Sequence, residues 1–164
     1  MSETHEKDPQ FVWDTMKGVG VAMVITRDGA ALDGRPMQSY PCQDEGVVYF
    51  MTGQDGRLVA QVETDGRVLL CYSEQGHSAY AAVDGTAEMI NDRDKVAALW
   101  NVWAQAFWKS PDDPSIRLLV FRPEHARYWE SAGTLATAIA MASALVTGTP
   151  PELGIADEVQ LRKA

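Results

Sequence analysis

The sequence has few cysteines, few histidines and no run of basic residues. Its 164 residues include 2 Cys, 3 His and 14 Lys and Arg against 23 Asp and Glu, which gives a formal net charge of −9. Nucleic-acid binding draws much of its affinity from neutralised phosphates, so a chain without basic clusters is unsuited to it. The same acidity disfavours anionic membrane surfaces. We therefore expect neither nucleic acid nor a membrane as a partner, whereas a small anionic ligand would need a few placed cations.

Segments that direct proteins out of the cytoplasm are also lacking. Residues 1–8 are polar and do not resemble a signal peptide. The uncharged segment 131–151 has only a short apolar part, 135–146, whereas a membrane-spanning helix needs about 20 apolar residues. Cys42 and Cys71 have no metal-binding spacing and are interpreted as reduced thiols. These features predict a cytoplasmic protein with a flexible tail at 1–8 and an Ala-rich helix near its C-terminus.

Familiar catalytic motifs are missing. The sequence contains neither a P-loop nor a Gly-x-Gly-x-x-Gly motif, and no Ser or Cys lies in a nucleophile elbow. His5, His77 and His125 offer no pair with metal-ligand spacing. Any redox chemistry would therefore depend on a bound cofactor rather than on a catalytic side chain.

Short apolar runs bounded by glycine turns predict a mainly β chain. Gly85, inside the fifth strand, predicts a bulge or bend. Tight turns between successive strands favour antiparallel pairing, and six strands in a compact chain favour closure into a barrel. The six expected strands cover residues 21–26, 34–40, 46–52, 67–72, 78–90 and 116–121.

Helical patterns lie between and after these strands. The clearest helix begins at Asn91 or Asp92 and is broken by Pro111. Its apolar residues recur on one face, which predicts a core or dimer contact: Val96, Trp100, Trp103 and Phe107. The other helices are expected over 9–16, where Asp8 and Pro9 form the start, over 57–62, over 123–129 and in the Ala-rich segment.

Two segments have residues that could take part in a ligand site. Arg35-Pro36-Met37 places a cation, a residue without an N–H and a polarizable thioether side by side on a strand. Residues 49–52 end a strand in a hydroxyl just before a Gly-rich turn and Arg57, and such a turn at the start of a helix can hold a phosphate. Taken singly, each segment also fits an ordinary surface Arg or an ordinary turn.

Taken together and in order, several segments resemble the FMN-binding split-barrel family related to pyridoxamine 5′-phosphate oxidase, in its general-stress-protein branch. The resemblance extends over roughly residues 10 to 160. Its segments are Arg35-Pro36-Met37, 48–52, 80–87 with Asp92-Arg93, Leu99-Trp100, 111–114, Tyr128-Trp129 and Thr147-Gly148.

This resemblance implies one domain over residues 1–164, with 131–164 as a helix and C-terminal extension. The implied fold is mainly β with added helices, a six-stranded antiparallel split β-barrel that forms a homodimer with FMN at the subunit interface. Arg35 and Arg57 would bind the FMN phosphate or ribityl chain, and Trp129 would approach the flavin from the partner chain. The ring would lie against Pro36, Met37 and the strand end Phe50, Met51 and Thr52.

Two departures from the family pattern bear on function. The family usually has a Lys directly after the position of Arg57, and here the residue is Leu58. One phosphate cation is therefore missing, and Leu58→Lys is expected to raise FMN affinity. The Arg-x-His motif that pyridoxamine phosphate oxidases use on their substrate is absent after Trp129. We therefore do not expect that specific activity.

Three functions remain open at this stage. The leading one is an FMN-dependent oxidoreductase of unknown substrate, with NAD(P)H or a small reductant as electron donor. The second is a non-catalytic flavin-binding or stress-sensing dimer that shares the site but has no turnover. The third is a dimer in which Leu58 marks a degenerate site and the barrel has a structural role or binds a different ligand.

Overall fold

The computed structural model of the chain describes residues 8–74, 76, 79–131, 133–151 and 154–162. Of the tail expected over residues 1–8, residues 1–7 lie outside the described residues, and so does His77. The helices are α1 (Pro9–Val19), α2 (Arg57–Thr64), α3 (Arg93–Leu99), α4 (Val102–Gln105) and α5 (Thr134–Thr147). The strands are β1 (Val21–Asp28), β2 (Ala31–Gln38), β3 (Tyr40–Cys42), β4 (Val47–Gly53), β5 (Arg67–Glu74), β6 (Ala79–Ile90), β7 (Ile116–Ser131) and β8 (Gly154–Gln160).

The strands join one antiparallel sheet in the order β2-β1-β5-β6-β7-β4-β3, with β8 added to β7. The two halves of the long strand β7 have different neighbours on one edge: residues 116–121 pair with β4, whereas residues 125–131 pair with β8. β6 pairs along the other edge of β7. The edge strand β2 also approaches β4, so the sheet curls back on itself. This curl brings β2 beside the end of β4.

A bulge at Gly85 interrupts the long β6–β7 ladder, as the sequence predicts. The register shifts between Asp84 and Gly85. A Cβ atom on Gly85 would lie 2.1 Å from the carbonyl oxygen of Arg122 and 2.9 Å from the ring of Phe121. A residue without a side chain is therefore required where the two strands approach this closely.

Helices α1 and α2 cover one face of the sheet. Asp8 accepts a hydrogen bond of 2.8 Å from the backbone N–H of Gln10, and Pro9 takes the first turn, which confirms the predicted start of α1. Val12 of α1 and Leu58 of α2 pack into the main core against the inward side chains of the strands. A second, smaller core lies under α3 and α4.

The single long helix predicted before Pro111 is wrong. The chain forms the two short helices α3 and α4, because the backbone of Trp100 is extended, with φ −61° and ψ 128°. Asn101 then caps α4 with its side chain, and such a cap competes with continuation of a helix. The apolar positions consequently leave their common face, and Trp103 and Phe107 become 60% and 78% exposed.

Two further expectations are corrected near the C-terminal end. The short helix predicted over 123–129 is wrong. These residues form the second half of β7, because β6 and β8 pair with them on both edges. β3 and β8 have no separate prediction from the sequence, so the described residues form eight strands rather than six. The remaining six strands overlap the predicted ranges, but β2 covers Ala31–Gln38 rather than 34–40, and β7 continues to Ser131 rather than ending at 121.

The Ala-rich segment forms α5, as predicted, and leaves several apolar side chains exposed, among them Ile139, Leu145 and Val146. No helix among the described residues combines the length and apolar character needed to cross a membrane.

Candidate functional site

A cavity of about 320 Å³ opens where the curl of the sheet brings β2 beside the end of β4. Helix α4 and the turn after it form the third wall. The lining residues are Pro36, Met37 and Gln38 from β2, Tyr40 from β3, Met51, Thr52 and Gly53 from β4, and Trp103, Ala104, Phe107 and Trp108 from the α4 side. A cavity of this size accommodates a small molecule or one flat part of a larger ligand.

The surface of this cavity is uncharged and rich in aromatic groups. The described residues that line it include no Asp, Glu, Lys or Arg, although 23% of the whole chain is charged. Two methionines and four large aromatic side chains, from β3, α4 and the turn after α4, supply polarizable apolar surface. Gln38 and Thr52 supply neutral hydrogen-bonding groups. Such a surface suits a flat ring better than an ionised group, which would lose its hydration without gaining a partner.

Tyr40 and Asn101 fix the aromatic wall of the cavity. The Oδ1 atom of Asn101 accepts hydrogen bonds of 3.1 Å from the backbone N–H groups of Trp103 and Ala104. The Tyr40 hydroxyl donates to the same oxygen at 3.3 Å. Burial raises the pKa of Tyr40, so its hydroxyl stays a neutral donor at physiological pH. The wall is therefore tied to β3 rather than left as a free loop.

Arg35 directly precedes Pro36 on β2, and its guanidinium reaches polar groups of β1 and α2. It donates to the Thr26 hydroxyl at 3.0 Å and to the Gln61 Oε1 atom at 2.8 Å. Thr26 is 1% exposed and Gln61 is 6% exposed. Buried polar groups need hydrogen-bond partners, so Arg35 has a structural role as well as a charge.

Asp33 links Arg35 to Arg57. Its Oδ2 atom lies 2.7 Å from Arg35 and 3.4 Å from Arg57, and it accepts a hydrogen bond of 2.9 Å from the Gln61 amide. Arg57 also reaches Asp28 at 2.6 Å. Two guanidinium groups therefore meet two carboxylates, and the cluster formed by Asp28, Asp33, Arg35 and Arg57 has no net charge. We call it the arginine cluster.

The ionisation of this cluster follows from these contacts. Hydrogen bonds from Gln61 and Arg35 lower the pKa of Asp33, so its carboxyl is ionised at neutral pH. The hydrogen bond to Asp28 raises the pKa of Arg57. The Arg57 side chain is 74% exposed, whereas that of Arg35 is 23% exposed. Arg57 is therefore the more accessible of the two cations.

The predicted site residues fall into three places. Pro36, Met37, Met51 and Thr52 line the cavity. Arg35, on β2, and Arg57, at the start of α2, both contact Asp33 and belong to the arginine cluster. The remaining three residues have other surroundings.

Phe50 and Leu58 place their side chains in the main core, 0% and 3% exposed. Phe50 can therefore meet a ligand only through its backbone. The burial of Leu58 argues against the expectation that a lysine side chain in its place would add a phosphate cation, because this position packs in the core.

Trp129 lies on β7 opposite Tyr80 of β6, and both side chains are about two-fifths exposed, at 41% and 42%. The side chain does not line the cavity described above within the same chain. It belongs to the outer face of the sheet.

A second polar cluster lies on this outer face near Trp129. Asp84, Glu124 and His125 offer side-chain atoms within 4.8 Å of one another, a spacing that a metal ion could use. Arg67, however, donates to Asp84 and to Glu124, both at 2.7 Å. The guanidinium of Arg67 already engages both carboxylates, so the cluster is explained as a surface ion-pair network.

Sequence reasoning missed Asp33, Gln61 and Asn101. Two of them had a signal in the spacing, since Asp33 lies two residues before Arg35 on a strand and Gln61 lies four residues after Arg57 on a helix. Each spacing places the pair on one face. Asn101 had no such signal, because the apolar pattern around it predicts a continuous helix.

The sequence matches the model of a protein family described as pyridoxamine 5′-phosphate oxidase like over residues 7–152. This match covers most of the chain, and the chain therefore belongs to that family. Among curated proteins, none matches the chain significantly in sequence.

Solved structures of general stress proteins share the fold. A protein from Jannaschia sp. CCS1, described provisionally as general stress protein 26, is 26% identical, with 92% of this chain and 96% of that chain covered and a TM-score of 0.74. The general stress FMN/FAD binding protein from Xanthomonas citri is 28% identical, with 75% of this chain and 88% of that chain covered and a TM-score of 0.67. The predicted fold, a mainly β antiparallel split barrel with added helices, is confirmed.

Proposed function

We propose that the chain binds FMN and acts as an oxidoreductase of the general stress type, as a homodimer in the cytoplasm. One observation carries the proposal: along β2, the arginine cluster at Arg35 is followed directly by the uncharged cavity at Pro36 and Met37. FMN has two parts that match, an anionic phosphate and a flat ring. Phosphate requires charge-assisted donors, and the ring requires apolar walls. The name of the Xanthomonas citri neighbour, which refers to FMN and FAD, supports the same cofactor class.

In this proposal the flavin ring lies in the cavity against Met37 and Met51, and the phosphate lies at Arg35 and Arg57. The cavity fits the ring well, because its lining is apolar and uncharged. The arginine cluster fits the phosphate less well, because Asp28 and Asp33 already engage both guanidinium groups. We therefore expect contacts with the flavin ring to supply most of the binding free energy. The contribution of the phosphate should decrease as the salt concentration rises.

The chain would contribute positioning and shielding rather than a catalytic side chain. A bound flavin supplies hydride transfer with a donor such as NAD(P)H or a small reductant. Met37 and Met51 would pack on the ring, and the backbone at the end of β4 would bind its polar edge. The described residues that line the cavity include no Asp, Glu, His, Lys or Arg, and the Tyr40 hydroxyl donates to Asn101 with its pKa raised by burial. Protons would therefore come from the reductant or from water.

Trp129 enters the proposal through a partner chain. Together with Met23 and Tyr80 it forms an outward, apolar part of the sheet in which each side chain is at least 41% exposed. The ladder registers place these three residues on the same face. A second copy packed on this face would bury them, and Trp129 would then stand beside the flavin of its partner.

A second candidate function is a non-catalytic flavin-binding or stress-sensing dimer with a weakened FMN site. The neutral arginine cluster favours it, since it provides no excess positive charge for the phosphate. The two functions differ in turnover. Rapid anaerobic bleaching of bound flavin by NADH or NADPH supports the oxidoreductase, and bleaching on the scale of hours supports the binding protein.

The phosphate site is tested by comparing Arg57→Ala with Arg27→Ala. Both side chains are exposed, and each forms an ion pair near the same end of β1. Each variant therefore removes one exposed positive charge. We expect Arg57→Ala to weaken FMN binding about ten- to a hundredfold, because it removes a charge-assisted contact. Riboflavin, which has no phosphate, should bind both variants as it binds the original chain.

The outcomes separate the parts of the proposal. Equal losses of FMN affinity in the two variants would mean that only the overall charge matters and that Arg57 does not bind the phosphate. Absence of binding for both FMN and riboflavin would reject the flavin site and favour a barrel with a structural role.

A further inference from the structure

One wall of the cavity has no assigned contact with the flavin in the proposed site. Trp103 and Phe107 line it from the α4 side, opposite β2 and the end of β4. Their side chains are 60% and 78% exposed. Large aromatic groups that share one exposed surface commonly mark a binding site.

This wall is a built feature and not a loose turn. The side chain of Asn101 caps α4 at the N–H of Trp103, and Tyr40 holds the same side chain from β3. Ala104, between the two exposed aromatics, is 3% exposed and packs in the smaller core. The backbone that carries the wall is thus anchored on both sides while the rings face the cavity.

We propose that this aromatic wall binds the second reactant of the enzyme, and that this reactant is a flat, uncharged aromatic molecule. The proposal rests on the proposed function, because a flavin ring against Met37 and Met51 leaves Trp103 and Phe107 as the facing surface. Because the cavity of about 320 Å³ holds one flat ring, the second molecule would lie on the flavin at the open side of the cavity, against the exposed surfaces of Trp103 and Phe107. Stacking of this kind needs two parallel apolar surfaces and no ionic partner.

Charge decides the class of reactant. An anionic group in the cavity would lose its hydration without a cation to replace it, because the described lining contains none. The guanidinium groups of the arginine cluster, which adjoins Pro36 along β2, are already paired with Asp28 and Asp33. A cationic group would likewise find no carboxylate in the lining. Gln38 and Thr52 offer neutral hydrogen bonds, which suit a carbonyl or amide substituent.

The inference is tested with three probes that share one ring system and differ in charge. They are naphthalene-2-carboxamide, naphthalene-2-carboxylate and 2-naphthylmethylamine, titrated by calorimetry into the FMN-loaded protein. We expect the carboxamide to bind at least about tenfold more tightly than either charged probe, the penalty of about 1.4 kcal/mol that follows from an unpaired charge. Perturbation of the flavin absorbance by the carboxamide would place it beside the ring.

Variants of the wall make the test specific. Phe107→Ala and Trp103→Ala should each weaken carboxamide binding about fivefold or more, since each removes one stacking surface. Val102→Ala is the matched control, because Val102 is 71% exposed on the same helix but does not line the cavity. Phe107→Lys should reverse the selectivity by strengthening binding of the carboxylate. The three positions that these four variants change are exposed, so folding should not be affected.

Several outcomes would overturn the inference. They are equal or tighter binding of a charged probe, no binding of the carboxamide, and equal effects of Val102→Ala and Phe107→Ala. A wall covered by a second copy of the chain would also prevent carboxamide binding. If the protein retains no FMN, the proposed function fails, and the same titration of the flavin-free protein still tests whether the wall selects neutral rings.

Discussion

The Oδ2 atom of Asp33 lies 2.7 Å from the guanidinium of Arg35 and also faces Arg57 at 3.4 Å. The two cations that the family resemblance assigns to a phosphate are thus held by one carboxylate, which lies two residues before Arg35 on β2. This contact orients Arg35 towards Thr26 and Gln61, and it also opposes an incoming anion. Stability of the free protein and affinity for a phosphorylated ligand therefore have opposite requirements at Asp33.

Replacing Asp33 with Asn should strengthen FMN binding severalfold. The substitution keeps the shape of the side chain and removes a negative charge beside both arginines. Riboflavin affinity should stay unchanged, because the ring cavity does not contain Asp33. Flavin fluorescence titrations at low and high salt measure both, and a parallel gain for riboflavin would contradict the assignment of the phosphate to this cluster.

The same variant should make folding stability less dependent on pH. The folded-state pKa of Asp33 lies below its ordinary value of 3.8, so its carboxylate stabilises the fold at higher pH and this stabilisation is lost as pH falls through the lowered pKa. Asp33→Asn should therefore unfold at lower urea concentration at neutral pH. The difference from the original chain should shrink as pH falls below 3.8. A difference that is constant with pH would show that the ionised carboxyl is not what stabilises the fold.

Leu58→Lys should destabilise the protein rather than improve FMN binding. The side chain of Leu58 is 3% exposed in the main core, and a lysine there would bury an unpaired charge. We expect a loss of about 3 kcal/mol or more in the free energy of unfolding. Leu58→Met, which keeps the position apolar, should lose about 1 kcal/mol. A stable lysine variant with tighter FMN binding would restore the family-type phosphate site.

Gly85→Ala should be among the most damaging small substitutions. Its Cβ atom would lie 2.1 Å from the Arg122 carbonyl oxygen, which belongs to the backbone and cannot move without breaking the β6–β7 ladder. We expect a loss of about 3 kcal/mol or more. Gly53→Ala serves as the control, since nothing lies within 4 Å of its Cβ position. Thermal unfolding of both variants measures the difference, and similar melting temperatures would contradict the close approach.

Local patterns predicted much of this fold, and long-range contacts account for what they missed. The six strands and the bulge at Gly85 follow from apolar runs and glycine positions, which act within a few residues. Residues 123–129 became a strand because β6 and β8, distant in sequence, pair with both of their edges. Asn101 divided the expected long helix because its side chain captures the N–H groups that would have continued it.

The candidate site was predictable in part for the same reason. Arg35, Met37 and Thr52 stand out by residue type on predicted strands. The paired carboxylate at Asp33 and the exposed wall at Trp103 depend on how those strands and helices meet, which the apolar pattern does not specify. The burial of Leu58 likewise depends on which face of α2 meets the sheet.

The visible absorbance of the protein after mixing with excess FMN and removing unbound flavin tests the central claim most directly. The account predicts a flavin band at about 450 nm that corresponds to one FMN per chain and is displaced from the spectrum of free FMN by the apolar cavity. A colourless protein after this treatment, at low as well as at high salt, would contradict it.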